Sequence, residues 1–474
     1  MYTDKLICNE QATIKQVMEC INQNAKGVAF IVDDAEKITG IVTDGDIRRT
    51  LLEGYGLKDK IKDHCNRQFI YANSINEAHE IFSKFDWKIK IIPVLNDRRE
   101  IVDYVEAGEP HISLAQPQLN GNEYKYLMDA FWSTWISSTG KYVTMFEEEF
   151  ANYCGVKYGV ATSNGTTALH LALAALGIGV NDEVIVPDMT FAATINAVLH
   201  AGATPVIVDI EEEGWCIDPD KIRSAITPRT KAIIPVHLYG QPCDMEKVCS
   251  IAKENGLYII EDCAEAHGAE WNGEKVGSFG DISCFSFFGN KVVTTGEGGM
   301  CVTNSEMLAK KMQILRDHGM NRKRKYYHEV VGFNYRMTNM QAAIGVGQLE
   351  HIDEILTWRN ALEDSYADKL LQIPNVILQK KDLDQRGKIS WLVSVLVPAE
   401  CRDKILEKFQ ENSIDARAFF IPLSDMDIYK KYASDCTVSK KISRCGINLP
   451  TTAEITETSV EKIVDIIKEQ IESM

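Results

Sequence analysis

The chain has 474 residues, too many for one ordinary hydrophobic core and enough for about three domains. Its formal charge of −17 argues against nucleic acid or an anionic membrane as partner, since both require clustered positive charge to offset phosphates. The 13 cysteines, scattered without paired metal-ligand spacing, read as reduced thiols of a cytoplasmic protein, and neither a transmembrane-length apolar run nor the h-region of a signal peptide is seen.

Residues 1–107 read as a separate unit with an internal repeat. Ala12–Asn22 has the apolar spacing of an amphipathic helix and precedes two strand-like runs, Gly27–Asp33 and Ile38–Thr43. The same order returns as a helix over Ser74–Phe82 and strands over Ile89–Leu95 and Glu100–Tyr104. The repeat resembles a pair of CBS motifs, and Gly40-Ile-Val-Thr43-Asp-Gly-Asp46 matches that family's nucleotide-contact signature. The resemblance implies that Thr43 meets a phosphate and Asp46 a ribose hydroxyl of an adenine nucleotide. The second repeat has Asp103 and Glu106 at the corresponding places, where two carboxylates would repel a phosphate. The module therefore reads either as one adenine-nucleotide site or as a purely structural unit.

An acidic, proline-containing link runs from Glu106 to Pro117. Beyond it, helix-like stretches alternate with short apolar runs: Gly159–Thr162, Glu183–Pro187, Pro205–Asp209, Lys231–Val236, Tyr258–Ile260, Ile282–Phe285 and Met300–Thr303. Near-continuous apolar strands separated by helices indicate an α/β sheet covered on both faces. From Leu349 the pattern shifts to longer helices with a few strands, including Trp391–Val397, so 108–348 reads as a large domain and 349–474 as a small one.

Three stretches carry chemistry. Thr162-Ser-Asn-Gly-Thr-Thr-Ala-Leu-His-Leu-Ala-Leu173 is a polar turn opening into an apolar helix. Its free N–H groups and dipole make an anion site that Gly165 lets a ligand approach, although an ordinary N-cap by Ser163 or Asn164 would look the same. In Leu257-Tyr-Ile-Ile-Glu-Asp-Cys-Ala-Glu-Ala-His-Gly268 a buried-looking strand ends in an acidic pair, at the edge where parallel sheets bind ligands. Alone, Glu261-Asp262 fits a metal pair or a solvated strand end equally well. The third stretch, Asp281–Gly299, is an apolar run ending in Ser286, then Lys291, then Thr294-Thr-Gly-Glu-Gly-Gly299. Aromatic and small neighbours suggest a partly dry pocket that makes Lys291 a nucleophilic amine, against the alternative of a lysine that merely closes a loop. Taken together, a carboxylate and a desolvated lysine suit pyridoxal 5′-phosphate, whose ring nitrogen needs an ionised carboxylate beside it to stay protonated.

Gly165-Thr-Thr-Ala-Leu169, Glu261–Gly268, Ser286-Phe-Phe-Gly-Asn-Lys291 and Gly332-Phe-Asn-Tyr-Arg-Met-Thr-Asn339 stand in the order found in the DegT/DnrJ/EryC1/StrS family of nucleotide-sugar aminotransferases, which the chain resembles from Gln118 to its C-terminus. The resemblance implies a type I pyridoxal-phosphate-dependent aminotransferase fold, with a seven-stranded mixed sheet in the large domain and a small α+β domain after it. Lys291 would hold the cofactor covalently and, once released by the amino donor, move the proton. Asp262 would pair with the pyridine nitrogen, Phe191 would stack on the ring, and Gly165, Thr166 and Ser286 would hold the phosphate. Asn334 would reach the cofactor phosphate of a neighbouring subunit, which implies a homodimer or a dimer of dimers. Glu265 stands where many members carry glutamine, beside cofactor or substrate, and Ser424 stands where a histidine is expected.

Ser137, Ser138, His237, His318 and Arg417 lie in segments that often line the sugar pocket in this family. The implied reaction moves an amino group from L-glutamate to the 4-keto carbon of a nucleotide-linked 4-keto-6-deoxyhexose, for surface polysaccharide biosynthesis. The stretches Glu265–His267, Phe288–Lys291 and Ala418–Pro422 resemble those of family members acting on GDP-linked sugars, a resemblance that implies GDP-4-keto-6-deoxymannose as acceptor. UDP- or dTDP-linked sugars, a small phosphorylated ketone and a non-enzymatic regulator are the rivals. Lys291 itself speaks against the related dehydratases, which carry histidine at that place.

Overall fold

The computed structural model describes residues 6–24, 26–74, 91–106, 112–321, 323–453 and 455–473. The chain divides into two compact units, Met1–Pro110 and His111–Met474.

In the first unit, helices Ile14–Asn24 and Asp44–Leu52 accompany a three-stranded sheet ordered Ile7–Asn9, Val28–Val32, Ile38–Thr43. Val28–Val32 is buried along its whole length, while Ile38–Thr43 alternates, so the apolar residues Ile14, Val17, Ile21, Ala29, Ile31, Val42 and Ile47 close one core. A second hairpin, Ile91–Leu95 with Ile101–Glu106, repeats the register of the first. Val28 pairs with Thr43 and Ile91 with Glu106, and each hairpin shifts register one step before its turn, at Val32 and at Leu95. This corrects the sequence alignment of the two repeats. Glu106 takes the place of Thr43 and Asp103 that of Gly40, while the counterpart of Asp46 is Glu109, outside the described residues. The expected helix over Ser74–Phe82 also falls outside them beyond Ser74, as do residues 107–111 of the link.

The second unit is built on a seven-stranded sheet ordered Tyr158–Thr162, Gly299–Thr303, Ile282–Ser286, Tyr258–Asp262, Thr230–Ile233, Glu183–Pro187, Thr204–Val208. Gly299–Thr303 runs antiparallel to both neighbours, and the remaining pairings are parallel. Side chains alternate between two cores, one on each face: Ile185, Val208, Ile233 and Phe285 join Phe146 and Phe150 on one side. Val184, Val186, Ile207, Ile260 and Ile282 meet Leu169, Leu171 and Leu173 of the helix Gly165–Leu176 on the other. That alternation with both faces covered is why the strands read as unbroken apolar runs.

From Ile352 a smaller layer forms, with helices Ile352–Leu370, Ala399–Glu411 and Glu457–Glu472 over a four-stranded sheet ordered Ile377–Leu378, Val393–Leu396, Gly446–Leu449, Arg417–Ala418. Tyr366, Val393, Val395, Phe409, Ile447 and Ile463 fill its core. A second four-stranded sheet of two-residue strands links Glu270–Trp271 and Glu274–Lys275 to Asp382–Leu383 and Arg386–Gly387. No helix among the described residues is long and apolar enough to cross a membrane.

Candidate active site

The carboxyl ends of the parallel strands open onto a cavity of about 770 Å³. Ser286 ends one strand, and the chain then turns tightly: Lys291 N donates to Phe288 O (2.9 Å), Thr295 N to Phe287 O (2.9 Å) and Phe287 N to Gly298 O (2.8 Å). The Lys291 side chain, 11% exposed, enters the cavity with Nζ 3.6 Å from Glu265 Oε1 and 3.7 Å from the centre of the Trp391 ring. Burial pulls its amine below the ordinary lysine value, against the opposing charges of Glu265 and Asp262. Burial likewise pushes the Glu265 carboxyl up to about 7, with Lys291 opposing. Both members of the pair are thus driven toward their neutral forms.

Asp262 ends the neighbouring strand and faces the same cavity. Its Oδ2 accepts from Thr194 Oγ1 (2.8 Å) and its Oδ1 from Ala264 N (3.2 Å), while burial raises its pKa. Glu261 points to the opposite face of the sheet, as the pleat requires. There it accepts from His237 Nε2 (3.1 Å), Gly277 N (2.9 Å), Phe279 N (2.9 Å), Gly280 N (2.7 Å) and Ser283 Oγ (2.8 Å). The acidic pair is therefore one residue facing the cavity and one structural hub.

Opposite the lysine stands the N-terminus of Gly165–Leu176. Asn164 caps it: Asn164 Oδ1 accepts from Thr167 N (2.9 Å), and Thr167 Oγ1 accepts from Asn164 N (3.2 Å). The N–H groups of Gly165 and Thr166 lie in the first turn, where no intrahelical carbonyl reaches them. A Cβ built on Gly165 would come within 2.8 Å of Ser286 Cβ, so only glycine lets the helix end sit this close to the strand end. Phe191, 61% exposed, stands at the rim, its ring centre 6.0 Å from that of Phe420. Arg417 and Trp391 line the side formed by the smaller layer, and His170 and Tyr335 another wall, joined by an Nδ1 to Oη hydrogen bond of 3.0 Å.

Residues 117–468 match the model of the DegT/DnrJ/EryC1/StrS aminotransferase family, nearly three quarters of the chain. The chain belongs to that family. A GDP-perosamine synthase of Caulobacter vibrioides is 46% identical over 359 residues, 75% of this chain and 97% of that protein. A second GDP-perosamine synthase, from Escherichia coli O157:H7, is 43% identical over 76% of this chain and 98% of its own. Among solved structures, a Streptococcus pneumoniae chain superposes with a TM-score of 0.73 at 27% identity in both its PMP form and its PLP form, covering 77% of this chain and 98% of its own in the PMP form. The aminotransferase accordingly uses pyridoxal 5′-phosphate, with an amino donor and a nucleotide-sugar acceptor as its substrates. The cavity fits that cofactor: a lysine and a carboxylate are buried in one wall, and the Gly165 turn leaves a cradle a side chain would fill. Residues 1–53 match the CBS domain model.

Of the residues singled out in the aminotransferase sequence, Gly165, Thr166, Phe191, Asp262, Glu265, Ser286, Lys291 and Arg417 line the cavity together. His237 does not: it is fully buried, with Nε2 bonded to Glu261 and Nδ1 accepting from Cys243 N (3.1 Å), and has no ring nitrogen left for a substrate. Ser137, Ser138, His318 and Asn334 also stand outside the cavity. Ser137 accepts from Asn339 N (2.7 Å) through its carbonyl, and the exposed Asn334 accepts from Arg336 Nε (3.1 Å). Ser424 is held by Asp188, through its N–H (2.7 Å) and its hydroxyl (2.9 Å), and does not line the cavity. Sequence reasoning missed Trp391, Thr194 and His170. Thr194 lies three residues beyond Phe191, in the same turn, while Trp391 is brought in by the tertiary fold and leaves no local signal. In the first unit, Thr43 and Asp46 border a cavity of about 580 Å³ with Lys26, Asn66 and Gln68. They also cap each other: Asp46 Oδ2 accepts from Thr43 N (2.9 Å) and Thr43 Oγ1 (2.7 Å).

Proposed function

We propose that the protein transfers an amino group from L-glutamate to the 4-keto carbon of GDP-4-keto-6-deoxymannose, giving 2-oxoglutarate and GDP-perosamine. What carries the reading is the one cavity that joins the partly desolvated Lys291, the buried Asp262 and a helix N-terminus, in a chain 46% and 43% identical to two GDP-perosamine synthases over nearly their whole length. Bound pyridoxal 5′-phosphate supplies an electron sink for the carbon that loses or gains the amino group. Asp262, with Thr194 and Ala264 N–H fixing its oxygens, would present its charge to the ring nitrogen. The N–H groups of Gly165 and Thr166, with the Ser286 hydroxyl, would receive the phosphate at the positive end of a helix. Phe191 would cover one ring face. Lys291, whose amine burial pulls below the ordinary lysine value, would give and take the proton at the substrate carbon. Arg417 is suited to hold a negative group of donor or acceptor.

Asn334 would act across a subunit boundary in a homodimer or dimer of dimers. The exposed Phe131, Trp132, Trp135 and Ile136, four large apolar side chains within six residues, support a second copy. The first unit would take an adenine nucleotide at Thr43 and Asp46, and the acidic composition and reduced cysteines fit a cytoplasmic enzyme. The test is direct. Protein loaded with pyridoxal 5′-phosphate should lose its long-wavelength absorbance on adding L-glutamate, and the product should then aminate GDP-linked 4-keto sugar in preference to UDP- and dTDP-linked ones. A chromophore indifferent to glutamate would overturn the transfer and favour a regulator; preference for a UDP sugar would overturn the base.

A further inference from the structure

Lys291 is held from two sides, by a carboxylate and by an aromatic face. Its Nζ lies 3.6 Å from Glu265 Oε1 and 3.7 Å from the Trp391 ring centre, with the lysine side chain only 11% exposed. Trp391 belongs to the smaller layer, a hundred residues further on, and is fixed at both ends. Its Nε1 donates to Asn290 O (2.8 Å), the residue before the lysine, and its carbonyl accepts from Arg359 Nη1 (2.7 Å). Arg359 is 2% exposed, and among the described residues no carboxylate offsets its charge. A buried guanidinium without a counter-ion is costly, and here one of its hydrogen bonds goes to the backbone that aims the indole. Tyr239 stacks behind at 6.3 Å and 22°.

We propose that Trp391 is a positioning residue that sets where the amine of Lys291 rests whenever it carries no bond to the cofactor. The proposal rests on the reading of Lys291 as the cofactor lysine. A lysine that is alternately bonded and free loses its anchor at each release, and its four-carbon stem lets the amine wander. An aliphatic wall would hold it only by exclusion and would disfavour the ammonium form. An aromatic face does the reverse, since the ring quadrupole attracts the cation. With Glu265 opposite, the free ammonium has a defined seat in the cavity. The other ionisable groups around it are Asp262 on the cavity floor and His267 behind. Burial holds the His267 imidazole down at about 3, and Arg359 lies beyond it.

The experiment uses full-length protein carrying pyridoxamine 5′-phosphate, in which the amine of Lys291 is free. Its pKa is read from the pH dependence of acylation at Lys291 by acetic anhydride, scored by peptide mass spectrometry. W391L should lower that pKa by about one unit, while W391F, which keeps the aromatic face, stays within about a third of a unit of the parent. W391L should also lose about tenfold in kcat with cofactor affinity held within about threefold, because the seat is needed on release and not on binding. If W391L titrates with the parent, or if W391F and W391L shift equally, the ring only fills space and the proposal fails. Should W391L not fold, W391M gives the same apolar comparison. Borohydride reduction of the protein loaded with pyridoxal 5′-phosphate, followed by peptide mapping, keeps the two readings apart. A tag on any lysine other than Lys291 overturns the proposed function itself, whatever Trp391 does.

Discussion

A buried amine and a buried carboxyl 3.6 Å apart can each be charged or neutral, and desolvation tips both toward neutrality. The folded pKa of Glu265, about 7, stands above its ordinary 4.5, so the folded protein binds more protons than the unfolded chain between those values. The stability this proton contributes is complete below pH 4.5 and is lost as the pH rises through about 7. Glu265→Gln should therefore flatten the decline of Tm over that window, read by thermal scans at stepped pH. Identical slopes in parent and variant would place the proton elsewhere. Lys291→Ala should abolish turnover, because no other amine lines the cavity among the described residues, and activity within about tenfold of the parent would refute its role. Asp262→Asn should cost several orders of magnitude in kcat by weakening the electron sink, while leaving protein stability nearly unchanged. At this scale Lys291, Asp262 and Glu265 were legible because motif order placed them. The facing of Glu261 and the sealing-in of His237 were not, since both depend on which side of a pleated strand is already occupied.

Among the elements, the helix Gly165–Leu176 shows how close the site sits to steric limits. Gly165→Ala would drive a methyl into Ser286, a strand-end residue with little room to retreat, and should weaken cofactor binding by about tenfold or more in an absorbance titration. Asn164→Ala removes a capping box and should cost about 1 kcal/mol of stability, measured by urea unfolding. Sequence reading expected a cap at Ser163 or Asn164 and could not choose, because either side chain reaches the first turn. The seven strands were readable because burial on both faces turns each into an apolar run. The two-residue strands joining 270–275 to 382–387 were not, because pieces that short carry no period of their own.

For the molecule as a whole, assembly and the first unit are the matters to test. Sedimentation should show a dimer or a dimer of dimers, and mixing an inactive Asn334→Ala chain with an inactive Lys291→Ala chain should restore part of the activity if Asn334 works across the boundary. Calorimetric titration of the full chain with ATP and AMP should give one site per protomer, and Asp46→Ala should remove it. Silence with both nucleotides would leave the first unit structural. Its twin hairpins were legible as a repeat from apolar spacing, but their true alignment depended on a register shift that spacing does not record.

Gly299–Thr303 runs against every other strand of the large sheet, and pairs with Tyr158–Thr162 on one side and Ile282–Ser286 on the other. A Cβ on Gly299 would meet Asn164 O at 2.4 Å, so the ribbon leaving the lysine turn presses directly on the residue that starts the anion-facing helix. The two jaws of the site thus share one hinge pin. Slackening it would open both at once, so loss of grip on the vitamer and misplacement of the amine would be one mechanical failure and not two.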